Sequence, residues 1–209
     1  NDVRTEADDA VKSLDYTGPY YVDADHINED TVEPFIGGSD FFTLDVAGYI
    51  GKPAKIQLKK AVKEEMKQYI GDIEIPGIAE PFRVSEEKLD KILDQYLLAI
   101  SKAGNLYGVL CAEKGEDNFI AEVSMDEVEQ AQSPLELFFI LALIAREEIK
   151  AQTIAPKFSG RFNKGVYYVG DQEAFRKEFE EDLLVIDFAV KKFGLPDNLK
   201  LSIHSGSDK

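Results

Sequence analysis

Phe119-Ile-Ala-Glu-Val-Ser-Met125, Gln152-Thr-Ile-Ala-Pro-Lys-Phe158 and Lys200-Leu-Ser-Ile-His204 are three short β-rich runs, and the stretches between them read as helices. Ahead of the first helix, Ser133-Pro-Leu-Glu136 has the form of a capping box. There Ser133 accepts from the helix N-terminus, Pro134 suits the first helical position and Glu136 reaches back. The helix that follows, to about Glu148, is apolar on most sides (Leu137, Phe138, Ile140, Leu141, Ile144), which predicts deep burial. In the second helix Asp171 stands as N-cap. Phe175, Phe179, Leu183, Ile186 and Val190 form its inward stripe, and Gly194 with Pro196 ends it. Strand, helix, strand, helix, strand with short links is the pattern of a parallel sheet covered by helices.

The first half starts in the same way. Tyr20-Tyr-Val-Asp-Ala-Asp25 and Asp40-Phe-Phe-Thr-Leu-Asp-Val46 read as strands around a short helix near residues 30–36. The rhythm then breaks. Residues 52–70 form a Lys/Glu-rich amphipathic helix closed by Gly71, and 71–83, with Pro76 and Pro81, reads as loop. Ser85 caps a longer helix carrying Leu89, Ile92, Leu93, Tyr96, Leu97 and Ile100 on one face and ending at Gly104. The stretch 50–105 is thus expected as a helical insertion in a single α/β domain spanning 1–209. The runs 106–111 and 119–125 could pair as a hairpin. Five strands are too few for a closed (β/α) barrel of eight, and a final strand with no covering helix would expose an apolar face. The expectation is a chain that continues beyond both ends, the alternative an open sheet with one bare edge.

Composition narrows the partners. With 40 Asp+Glu against 24 Lys+Arg in 209 residues, the formal charge is -16. Such a surface repels nucleic acid and anionic membrane at long range. The longest apolar run, 137–145, falls far below the ~20 residues that span a bilayer. The opening NDVRTEADDA has no apolar signal core, and the single Cys111 suits a reducing cytoplasm, so a cytoplasmic location is expected. The apolar helices leave open a homo-oligomer, since they could pack within missing chain or against a second subunit.

In parallel α/β proteins the chemistry collects at the carboxyl ends of the strands. Those ends hold Asp23, Asp25 and His26, then Asp45, then Asp126, Glu127 and Glu129, then Lys157, and finally His204, Ser205, Ser207 and Lys209. The only two histidines, His26 and His204, both fall there. Two imidazoles with carboxylates suit a divalent cation such as zinc, manganese, nickel or iron. The blander roles are a capping or hydrogen-bonding histidine, a solvated acidic turn at 126–129, and Asp171 as a plain N-cap. No Walker loop, G-x-G-x-x-G, C-x-x-C or G-x-S-x-G occurs.

Six strings then carry a resemblance. They are Val22-Asp-Ala-Asp-His-Ile27, Ser39-Asp-Phe-Phe-Thr-Leu-Asp45, Glu122-Val-Ser-Met-Asp-Glu127, Thr153-Ile-Ala-Pro-Lys-Phe158, Lys164-Gly-Val-Tyr-Tyr-Val-Gly-Asp171 and Leu201-Ser-Ile-His-Ser-Gly-Ser-Asp-Lys209. In order, from about Thr17 to the last residue, the chain resembles the tagaturonate epimerase family. The resemblance implies a TIM-like (β/α) barrel, incomplete in this chain, and a metal-dependent epimerase interconverting D-tagaturonate and D-fructuronate in hexuronate catabolism. It implies Asp25 as proton acceptor, His26 and His204 as metal ligands, and Glu127 as proton donor, with Asp126 and Glu129 as its neighbours. It places Asp171 as a third ligand.

The implied substrates differ at a hydroxyl-bearing carbon β to the ketone, whose C–H the carbonyl does not acidify. A retro-aldol route avoids that carbon acid: a base takes the hydroxyl proton, the C–C bond opens, and closure on the other face inverts the centre. The sugar acid's carboxylate calls for positive charge, with Lys157, Arg161, Lys164 and Lys209 as candidates and Ser205 beside them. A sugar-acid aldolase or isomerase, or a non-catalytic sugar-binding domain of the same fold, are the competing expectations.

Overall fold

A computed structural model describes residues 3–205 of the chain. In order the elements are α1 (Val3–Ser13), β1 (Asp23–Ile27), β2 (Phe41–Asp45), α2 (Ile56–Met66), β3 (Gly71–Ile73), β4 (Phe82–Val84), α3 (Glu86–Lys114), β5 (Ile120–Ser124), α4 (Pro134–Arg146), β6 (Thr153–Ala155), α5 (Gln172–Phe193) and β7 (Lys200–Leu201). Five of the strands form one sheet, ordered β1-β2-β5-β6-β7, with every neighbouring pair parallel. The sheet steps in one direction only. Right-handed crossovers therefore lay the connecting helices along one face. The sheet is not closed; β1 and β7 are its edges, so a complete barrel is absent from the described residues.

The two faces differ in chemistry. Ala24, Phe42, Leu44, Ala121, Val123 and Ile154 are buried in register on the helix side. Thr43, Glu122 and Thr153 lie level with one another on the opposite side, where period-two alternation puts them. Above the apolar face sits α4, whose Leu137 through Leu141 are all fully buried, each contributing on the order of 1.5–3 kcal/mol. Its entry is the anticipated capping box: Ser133 Oγ accepts from the Glu136 amide, and Glu136 Oε2 accepts from the Ser133 amide at 2.8 Å.

Several expectations need correction. Gly104 does not end α3, which runs on to Lys114, so the strand at 106–111 and its hairpin with 119–125 do not form. Ala103, Leu106, Tyr107 and Leu110 continue the buried helical stripe. Gly104 marks a close crossing instead, since a Cβ there would stand 3.0 Å from Glu147 Oε2. Residues 71–83, expected as loop, contain an antiparallel pair, with Gly71 opposite Val84 and Ile73 opposite Phe82. The stripe of α5 is rotated: Asp182, Val185, Ile186 and Ala189 are buried while Leu183 is 43% exposed. Helix α1 was not anticipated because it buries nothing. Arg4 ties it down by donating to Gly38 O at 2.9 Å and by an ion pair with Asp40.

Candidate functional site

The site forms where β1, β5 and β7 end. In β1 the pairing slips between Ala24 and Ile27, three steps of chain against two on β2. His26 sits in this bulge with φ 54°, in the left-handed region that few non-glycine residues adopt. The extra residue lets Ile27 take the buried position that strict alternation from Ala24 would give to His26. The imidazole is thereby turned toward the neighbouring strand ends. Strain of this kind is retained where the surroundings hold it, often at functional sites.

Asp126, two residues past the end of β5, is the meeting point. Its Oδ1 accepts from Ser124 Oγ at 2.6 Å and lies 3.2 Å from His204 Nδ1 and 3.6 Å from His26 Nε2. The two rings stand edge to face with centroids 5.4 Å apart. The second nitrogen of each ring is hydrogen-bonded to a carboxylate: His204 Nε2 is 2.8 Å from Glu122 Oε1, and His26 Nδ1 is 2.5 Å from Asp25 Oδ1. His26 Nε2 is buried and has no hydrogen-bond partner.

These contacts set the charges. Asp126 raises His26 to about 9 against the lowering effect of burial, with Asp25 adding to the rise. Asp126 and then Glu122 raise His204 to about 10, again against burial. Burial pushes the Asp126 and Glu122 carboxyls up, but the imidazoles more than reverse it and both end below the usual carboxylate range. Asp23, on the same side, is pushed up to about 6 by lost solvation, then by the charges of Asp25 and Glu122.

The donor set fits a divalent cation. One atom from each of His26, Asp126 and His204 lies within 4.8 Å of the others. Ligands about 2.1 Å from one ion stand roughly 3.0–3.4 Å apart, close to the spacings found here. His26 Nε2, buried and without a hydrogen-bond partner, suits a bond to such an ion. Asp171 stands apart from this group: its Oδ1 accepts from the amides of Glu173 and Ala174 at the head of α5. The carboxylate that converges on the imidazoles is Asp126.

Beside the cluster a cavity of about 220 Å³ is lined by Asp126, Glu127, Lys157, Arg161, Asn163 and His204. Glu127 is exposed at its edge, whereas Glu129 lines a separate, larger cleft of about 790 Å³ between α3 and the loop before α4. No ion pair among the described residues uses Lys157 or Arg161, whereas Arg4, Arg146, Lys150 and Arg176 each pair with a carboxylate. Ser205 is exposed, one residue beyond His204, and Lys209 lies outside the described residues. A family profile described as tagaturonate epimerase matches residues 1–209.

The chain belongs to the tagaturonate epimerase family. A curated relative, the tagaturonate/fructuronate epimerase of Thermotoga maritima, is 28% identical over 219 residues, covering all of this chain and 44% of its own length. A glycerol complex of the fructuronate-tagaturonate epimerase of Cohnella laeviribosi superposes with a TM-score of 0.76 at 25% identity, over 97% of this chain and 42% of that one. The native crystal structure of the Cohnella protein gives 0.71 at 24% identity. The chain thus spans less than half the length of the relatives it matches. Sequence reading within the tagaturonate epimerase pattern passed over Glu122 and did not take Asp126 as a ligand. Glu122 had a signal, a charged residue inside the apolar run Phe119-Ile-Ala-Glu-Val-Ser-Met125.

Proposed function

We propose that the protein containing this chain interconverts D-tagaturonate and D-fructuronate, with a divalent cation held by His26, His204 and Asp126, the last in place of Asp171. The observation that carries the reading is the convergence of both imidazoles on one Asp126 oxygen, at 3.2 and 3.6 Å, beside a cavity lined by Lys157 and Arg161, neither of which forms an ion pair among the described residues. Held by His26, His204 and Asp126, a divalent cation would supply positive charge that stabilises the enediolate. Asp25 takes the hydroxyl proton, its other oxygen being free of the His26 contact. The C–C bond then opens to an enediolate and an aldehyde, and closure on the other face of the aldehyde inverts the carbon. Glu127, at the cavity edge, returns the proton to the new alkoxide. Lys157 and Arg161 bind the carboxylate, with Ser205 and Lys209 completing the substrate contacts.

In this reading 1–209 is one α/β unit, an open arc of a (β/α) barrel. One-directional strand order and a polar face opposite the helices support it, since a barrel interior is lined from that side. The stretch 50–105 elaborates the β2–β5 crossover. A cytoplasmic setting accords with sugar-acid catabolism and one free cysteine. No described helix is long and apolar enough to cross a membrane.

The test is incubation with D-tagaturonate in D₂O, after chelation and with Zn²⁺ or Mn²⁺ restored. Metal-dependent formation of fructuronate without solvent deuterium at the inverted carbon is expected. Deuterium at that carbon would overturn the retro-aldol route. Aldose or three-carbon products would favour an isomerase or aldolase.

A further inference from the structure

Glu122 is an odd residue to find in the middle of a parallel strand. It is 3% exposed, and an ionised carboxylate removed from water costs several kcal/mol unless its oxygens are bonded. Its Oε1 faces His204 Nε2 at 2.8 Å and receives a longer bond from Thr43 Oγ1 at 3.4 Å. Register explains the setting, because Thr43, Glu122 and Thr153 are aligned across three adjacent strands. The same five-residue stretch holds both nitrogens of one ring, Glu122 at Nε2 and Asp126 at Nδ1.

We propose that Glu122 is a positioning residue for the cation site, accepting the Nε2–H of His204 so that the Nδ1 lone pair faces the cation. The inference rests on the cation reading of His26, Asp126 and His204. A neutral imidazole carries one N–H and one lone pair, and an ionised carboxylate only accepts. With a cation on the Asp126 side of the ring and Glu122 at Nε2, the neutral form of His204 that serves both carries its proton on Nε2. Carboxylates behind a metal-bound histidine fix its tautomer and ring orientation in this way. Asp25 stands in the equivalent place behind His26, but its side chain is 73% exposed, so solvent screens it. Glu122 has no such screening and carries the larger effect.

The test uses the protein labelled with ¹⁵N at histidine and Zn²⁺ titrated against a chromophoric chelator. In the wild type, ¹⁵N spectra should show zinc on Nδ1 of His204 and the proton on Nε2. Glu122→Leu, checked for folding by circular dichroism, should lose about 10- to 100-fold in zinc affinity. Glu122→Gln should lose less, since its amide oxygen still accepts, and its Nε2–H resonance should move upfield. A residue that only fills space predicts Glu122→Leu affinity within about twofold of wild type and an unmoved resonance, and either result overturns the proposal. So does zinc on Nε2. If Glu122→Leu does not fold, the Glu122→Gln resonance decides. Wild-type protein that binds no zinc overturns the cation reading itself, which separates that failure from failure of the Glu122 role.

Discussion

The rings of His26 and His204 meet edge to face at 5.4 Å although 178 positions separate them in the chain, and Asp126 Oδ1 stands within 3.6 Å of a nitrogen on each. Without a cation, two protonated rings neutralise the surrounding carboxylates. A cation must displace those protons, so affinity is linked to pH. Zinc affinity should rise from pH 7 toward about 9–10, where the rings lose their protons. His26→Ala, His204→Ala and Asp126→Ala should each abolish tight binding, as measured by competition with a chelator.

Arg161 and Lys157 line the cavity without ion pairs among the described residues. Arg161→Gln should raise KM for D-tagaturonate about 10- to 100-fold, with a smaller change in kcat, by removing a charged hydrogen bond worth about 1.5–3 kcal/mol. Turnover of a neutral ketohexose, measured alongside, should not change.

Asp182 is 2% exposed and its Oδ1 has no hydrogen-bond partner. Burial, then the neighbouring Glu178 and Glu181, push it up to about 8. The folded chain therefore holds this proton where the unfolded chain has released it, and stability falls as pH rises from about 4 to 8. Asp182→Asn should be more stable than wild type at pH 7 by on the order of 1–3 kcal/mol. The gain should vanish near pH 4, as followed by urea melts.

Glu136 closes the α4 capping box and also accepts from Tyr96 OH at 3.0 Å, which ties α4 to α3. Glu136→Ala should cost about 1–3 kcal/mol, the loss of a cap plus an orphaned buried hydroxyl, read as a lowered Tm.

Gly160 has φ +77°, and a Cβ there would come 2.5 Å from Tyr168 OH. Tyr168 packs on Phe162 and Phe175 and holds the turn that carries Arg161. Gly160→Ala should loosen this segment, seen as faster proteolysis between residues 156 and 170, with the sheet intact.

Much of the architecture was legible because it is local. The Ser133–Glu136 box, the Asp171 cap and the Gly194 stop depend on a few adjacent residues, and all three stand as read. The failures came where distant packing overrode the local signal. Gly104 looks like a terminator until Glu147 is seen pressed against it, and Leu183 joins the α5 stripe only until packing selects the adjacent face. Both histidines could be placed at strand ends from the chain alone. Asp171 and Asp126 could not be ranked as partners, since each is an acid near a strand or helix end.

Strand and helix alternation, the excess of acid and the two histidines are properties of the chain itself, because they follow from side-chain period and charge. Which carboxylate faces which imidazole was decided by the fold. A one-residue bulge in β1 turns His26, β5 brings Glu122 and Asp126 beneath His204, and sheet register holds them within bonding distance. No spacing along the chain encodes that meeting.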